Sequence, residues 1–145
     1  MRKKIFPMVA VTLLLGPLLA GQTQKRKLGA PSTAQIARGK YLVERVTLCG
    51  DCHTPTDEKG EPLKDQSLKG ATLTFKPTEP VPGWADKAPN IAGLPGWEKD
   101  AAIRFMMTGI ASNGLPGRPP MPQFRFNLQD AEAIVAYLKS LEPAK

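Results

Sequence analysis

The sequence predicts an all-α domain whose core is completed by something other than its own side chains. Three observations carry this. Apolar residues recur at helical spacing in three stretches, near 33–46, 98–108 and 128–141. Between the first two, residues 54–97 hold seven prolines and five glycines and show no period. An irregular stretch that long argues against a compact domain unless it wraps a large rigid body. Finally, the chain's two cysteines and its one histidine all fall within residues 49–53, so no disulfide staples distant parts together.

Taken in order, the chain opens on Arg2, Lys3 and Lys4, followed by Ile5 to Ala20 without a charge. That run is short of the roughly 20 apolar residues a membrane span needs and suits a signal-peptide core. Residues 1–21 are therefore expected to be a signal peptide, with a short N-terminal anchor as the alternative if it stays uncleaved. Residues 22–30 form a polar tether carrying Lys25, Arg26 and Lys27, and 31–145 form the folded domain. The formal charge of +7 belongs mostly to the first two segments. From Pro31 onward there are 14 Lys and Arg against 13 Asp and Glu, which excludes a basic nucleic-acid surface.

Pro31-Ser32-Thr33 reads as a helix start. Ile36, Gly39, Tyr41, Leu42, Val43 and Val46 continue the helix toward Cys49. In the loop that follows, Ala71 to Phe75 is expected to be one extended piece, with Leu73 and Phe75 on the same side. Helical spacing resumes at Glu98–Thr108 through Ala101, Ile103, Phe105, Met106 and Met107, with Gly109 placed to end it. After a second Gly/Pro loop, Leu128, Ala131, Ile134, Val135, Leu138 and Leu141 form one stripe, with Asp130 in the first turn and Lys139 near the end. Tyr41 and Tyr137 are expected to pack between helices.

Cys49-Gly50-Asp51-Cys52-His53 is the C-x-x-C-H pattern of covalent haem attachment. Thiols at i and i+3 share one side of a helical turn and can add to the two vinyl groups of one haem, and the next residue offers an imidazole to the iron. A structural zinc site needs four protein ligands, which the Cys and His count cannot supply. A thioredoxin-like dithiol needs a βαβ setting that this pattern lacks. One covalent haem c, through Cys49 and Cys52, is the cofactor expected, with His53 as proximal ligand. The imidazole Nδ1–H needs an acceptor to fix the ring, and the carbonyls of Pro55 and Pro89 are both candidates.

With no second histidine, the sixth ligand is expected to be a thioether, which suits haem iron and raises its potential. Met121 stands in Arg118-Pro119-Pro120-Met121-Pro122, where three prolines restrict the backbone. Met106 and Met107 lie in a helix and read as core packing. Trp84 and Trp97 can each present an indole N–H to a propionate, and Asn90 is a further candidate for that role.

These residues resemble the class I monohaem cytochromes c from about Ala34 to Leu141. The likeness is carried by Gly39-Lys40-Tyr41-Leu42-Val43 leading into C-x-x-C-H, by Pro89-Asn90-Ile91, by Pro120-Met121-Pro122, and by the helix from Leu128 to Leu141. Gly96-Trp97 before a helix ending Thr108-Gly109 is similar to cytochrome subunits associated with periplasmic dehydrogenases. The resemblance implies a fold in which N- and C-terminal helices cross around a covalent haem, with Gly39 allowing close approach near Tyr137 and the long Pro/Gly-rich loop wrapping the cofactor. It implies a periplasmic carrier of single electrons with His53/Met121 axial ligation. Such a protein is not itself an enzyme, and its partners are a dehydrogenase, an oxidase or another cytochrome. A haem subunit of a dehydrogenase complex is the alternative. A haem enzyme such as a peroxidase is a weaker one, because it needs an open sixth position and distal acid/base groups. Contact with a membrane is expected only if residues 5–20 remain attached.

Overall fold

The computed structural model describes residues 29–142. The expected signal peptide, and the tether apart from Gly29 and Ala30, lie outside the described residues. The elements run α1 (Thr33–Tyr41), a π-helical continuation (Leu42–Val46), a one-turn α2 (Gly50–His53), a 3₁₀ turn (Lys64–Gln66), β1 (Ala71–Thr72), β2 (Lys87–Ala88), α3 (Lys99–Thr108) and α4 (Leu128–Ser140). Among the described residues no helix is long and apolar enough to cross a membrane.

Helix α1 begins where Ser32 Oγ accepts the Gln35 N–H at 3.1 Å, the hydrogen bond expected of a serine N-cap. The helix does not run smoothly into the cysteine motif. It widens to π geometry over 42–46, and Leu48 then takes φ 51°. That left-handed residue re-aims the chain before α2, at a conformational cost borne by the surrounding packing. Leu42 and Val43 are buried, whereas Tyr41 and Val46 are about half exposed. Tyr41 therefore packs outward, with the Arg38 guanidinium over its ring, rather than between helices.

The last helix is buried on more than the single expected stripe. Ala131 and Ala133 to Leu138 are all buried, while Leu128 is exposed. The cause is that α4 has neighbours on two sides, α1 and α3. Its contact with α1 centres on Gly39. A Cβ there would meet the Ala133 carbonyl oxygen and would lie 2.7 Å from Tyr137 Cβ, so only glycine lets the two backbones approach this closely. Arg38 adds a forked ion pair to Asp130, with Nε–Oδ1 at 2.9 Å and Nη2–Oδ2 at 3.3 Å. Asn127 caps α4 by accepting the Asp130 N–H at 2.9 Å.

The long loop is mostly irregular, as its composition predicts. Besides the 3₁₀ turn, it holds the antiparallel pairing of Ala71 with Ala88 and Thr72 with Lys87. The strand is shorter than the expected 71–75. Leu73 reaches the interior cavity, whereas Phe75 is exposed and meets the edge of Trp84 at 5.9 Å between ring centroids. Helix α3 starts after Glu98 without a side-chain cap and ends on Gly109 at φ 71°.

Candidate functional site

These elements enclose an apolar cavity of about 470 Å³, within the usual range for a bound small molecule. Cys49, Cys52 and His53 form one part of its wall. Residues 87–91 of the long loop, Phe105 and Met106 of α3, Met121 of the second loop, and Ile134, Val135 and Leu138 of α4 are among the others. Residues more than 80 positions apart in the chain thus face one space.

The motif is held by its own short turn. Cys49 N–H donates to Val43 O and His53 N–H to Cys49 O, both at 3.0 Å. Thr47 Oγ donates to Leu42 O at 2.9 Å and lies 3.1 Å from Cys49 Sγ. Burial pushes the Cys49 thiol above its ordinary pKa, against the opposing effect of Thr47. In the attached state that sulfur is a thioether and carries no proton.

His53 is 5% exposed. Its Nδ1 lies 2.7 Å from Pro89 O. A carbonyl only accepts, so Nδ1 carries the proton and Nε2 keeps a lone pair for a metal. Burial lowers the imidazole pKa and the Pro89 bond partly offsets it, leaving a neutral ring at pH 7. Of the two candidate acceptors it is Pro89 that serves. Pro55 O instead accepts the Leu63 N–H at 2.9 Å. The motif and the loop are joined a second time where Gly70 N–H donates to His53 O at 2.8 Å. Gly70 has φ 91°, and a Cβ there would lie 2.8 Å from Asn90 N.

Met121 lines the cavity, and so does Met106. Met106 and Met107 are half-buried against the core. Asn90 and Trp97 also line the cavity. Asn90 Oδ1 accepts the Ala92 N–H at 2.9 Å, and Trp97 packs on Phe105 with centroids 5.3 Å apart. Trp84 is not part of that wall. Its Nε1 is buried without a hydrogen-bond partner, while its carbonyl oxygen is taken by Arg118. Arg118, not among the candidate residues above, joins the two loops through its guanidinium. Its only signal in the sequence is its place three residues before Met121.

The wall suits a covalently attached haem. It is mostly apolar, and its polar side chains include two thiols, an imidazole, Thr47, Asn90 and Arg118. Among the described residues no cluster of three or more His, Cys, Asp or Glu can hold a metal ion. The family model for cytochrome c matches residues 36–142. The chain belongs to the cytochrome c family, and its cofactor is covalent haem c.

Among curated proteins, the chain is similar to the fructose dehydrogenase cytochrome subunit of Gluconobacter japonicus. The two are 31% identical over 118 residues, which is 74% of this chain and 22% of that protein. It is similar to the cytochrome c subunit of the quinone-type alcohol dehydrogenase of Komagataeibacter europaeus, 32% identical over 127 residues, 79% of this chain and 26% of that one. The gluconate 2-dehydrogenase cytochrome c subunit of Pantoea cypripedii is 31% identical over 117 residues, 73% of this chain and 26% of that one. The chain spans about a quarter of the length of these relatives.

Proposed function

We propose that this chain is a single-haem electron carrier, exported to the periplasm, with Cys49 and Cys52 as attachment points and His53 and Met121 as axial ligands. The observation that carries this reading is the convergence of those four side chains on one apolar cavity. When bound, the haem supplies an iron that gains and loses one electron.

The chain's own residues do the rest. Cys49 and Cys52 fix the group in position and prevent its loss. His53 offers Nε2 because Pro89 O holds the proton on Nδ1, which orients the ring and strengthens it as a donor. Met121 offers a soft sulfur, which favours the reduced state. Ile134, Val135 and Leu138 keep water from that side of the cavity. In this reading α1 and α4 cross at Gly39, and the long loop wraps the group that completes the core. Asn90 and Trp97 are placed to meet the rim of the bound group, and Trp84 has the one buried indole N–H among the described residues that lacks a partner.

The physiological electron donor we propose is a dehydrogenase, because the relatives named above are cytochrome subunits of dehydrogenases. This chain then serves as their haem subunit or as a separate carrier fed by such an enzyme, and not as the catalytic component. If His53 and Met121 both hold the haem iron, no position would be left open, and this and the lack of any second histidine weigh against a peroxidase.

The test is expression with export and haem-attachment machinery, followed by a spectroscopic redox titration. One haem per chain, a transition of one electron and no catalytic turnover of peroxide by the intact protein are expected. A high-spin ferric spectrum would contradict the two-ligand reading. Identifying what reduces the exported protein would test the partner.

A further inference from the structure

Residues 83–89 form a strap between the two ligand-bearing parts of the chain. At one end, Pro89 O is bonded to His53 Nδ1. In the middle, the strap pairs with 71–73 through β1, β2 and the Leu73 N–H to Asp86 O bond at 2.9 Å. At the other end it is fastened to the loop that carries Met121. Arg118 Nε donates to Gly83 O at 2.9 Å and Nη2 donates to Trp84 O at 2.7 Å. Ala85 N–H donates to Pro119 O at 2.7 Å. The Met121 N–H donates in turn to Arg118 O at 3.0 Å. A path of hydrogen bonds joined by the strap's own backbone therefore runs from His53 to Met121, the residue proposed to bind iron.

From this geometry we infer that Arg118 is the positioning residue for Met121, its guanidinium fork clamping the 118–122 loop onto the strap. The inference rests on the reading of Met121 as an axial ligand. Arginine is suited to the task. Its planar donors are fixed relative to one another and meet two successive carbonyls, whereas a lysine ammonium is a single point charge on a flexible stem. Arg118 is exposed, so its bonds compete with water. Losing them shifts the balance between a closed and an open methionine loop and leaves the helical core intact. Two such bonds correspond to roughly a 10- to 100-fold change in that balance.

The experiment measures imidazole affinity of the ferric holoprotein, the far-red sulfur-to-iron band, and the denaturant midpoint, in wild type, Arg118→Ala, Arg118→Lys, Arg125→Ala and Met121→Ala. Arg125→Ala removes the same charge but breaks only bonds to Gln123 and Phe124. The expected result is an imidazole affinity raised on the order of tenfold or more in both Arg118 variants, a weakened far-red band, a midpoint close to wild type, and no such change in Arg125→Ala. Wild-type imidazole affinity in Arg118→Ala, with Met121→Ala still abolishing the band, overturns the positioning role and leaves the ligand assignment standing. Equal gains in the Arg118 and Arg125 variants overturn it as a charge effect. Persistence of the band in Met121→Ala overturns both readings.

Discussion

His53 Nδ1 lies 2.7 Å from the carbonyl oxygen of Pro89, 36 residues farther along the chain. One backbone oxygen of a proline-rich loop thus sets both the tautomer and the orientation of the chain's one imidazole. Gly70 ties the motif to the same part of the loop: its N–H donates to His53 O, and a Cβ on it would meet the 88–90 backbone.

Gly70→Ala is therefore expected to disturb the iron site as well as the fold. The position has φ 91°, and a Cβ meets Asn90 N and Ala88 O. Strain of this kind costs about 1–3 kcal/mol. Denaturant unfolding of the holoprotein should show a loss of that size, and the reduction potential should shift because the Pro89 bond to the imidazole is altered. An unchanged potential together with unchanged stability would show that the loop absorbs the methyl group.

Gly39→Val probes the contact between α1 and α4. The new side chain has no room against the Ala133 carbonyl, and a backbone neighbour cannot rotate aside. Overpacking costs typically about 1–3 kcal/mol and more where backbone must move. The holoprotein's melting temperature should fall by several degrees, on the order expected for 1–3 kcal/mol in a domain of this size. Retention of wild-type stability would mean that the helices separate at little cost.

The helices, their order and the attachment motif were legible in the sequence because each is a local pattern: a serine N-cap at Ser32, a stripe from Ala131 to Leu138, and C-x-x-C-H within five residues. The rest depends on long-range contact. Tyr41 and Leu128 fit their helical stripes yet face outward, since which side of a helix finds a neighbour is set by the other elements. Pro55 and Pro89 are not separable as acceptors by sequence, because an irregular loop that returns a carbonyl 36 residues after His53 follows no spacing rule. The role of Arg118 has no spacing rule for the same reason. Its partners Gly83 and Trp84 lie 35 and 34 residues away and contribute only backbone oxygen.

Tyr137 gives a pH dependence of known sign. Its hydroxyl donates to Glu44 Oε1 at 2.6 Å. Burial first, and then the Glu44 carboxylate, raise its pKa well above the ordinary value. In the folded protein the phenol stays protonated when the unfolded chain's phenol ionises, near about pH 10. Its contribution is fully present below that pH and is lost as pH rises beyond it. Tyr137→Phe should cost about 1–2 kcal/mol at neutral pH, and the gap from wild type should shrink as pH passes about 10. A gap that stays constant through the alkaline range would refute this account.

Haem attachment should govern folding. The cavity wall collects apolar residues from both loops and three helices, and without a bound group those loops have little to pack against. Cys49→Ala with Cys52→Ala is expected to yield a chain lacking a cooperative melting transition, because the ordering entropy of the long loop is no longer offset. Wild-type protein should keep its haem through acidified acetone. Native-like melting of the double variant would show that the polypeptide core suffices alone.

Met121 and Met106 both line the cavity, so position alone does not choose between them as iron ligand. Backbone context is what supports the proposal of Met121. Met106 sits within α3, where its helix also presents Ile103 to the core. Met121 sits in a loop restricted by Pro119, Pro120 and Pro122 and tied to the strap through Pro119 O. Met121→Ala is expected to abolish the far-red sulfur-to-iron band of the ferric protein. It should lower the reduction potential, since a thioether favours the reduced iron, and open the iron to carbon monoxide or cyanide. Met106→Leu and Met107→Leu should keep the band and cost less than about 1.5 kcal/mol, as volume-conserving core changes do. Optical spectra of the three variants decide the matter. Loss of the band in Met106→Leu, with its survival in Met121→Ala, would move the ligand from the loop to α3.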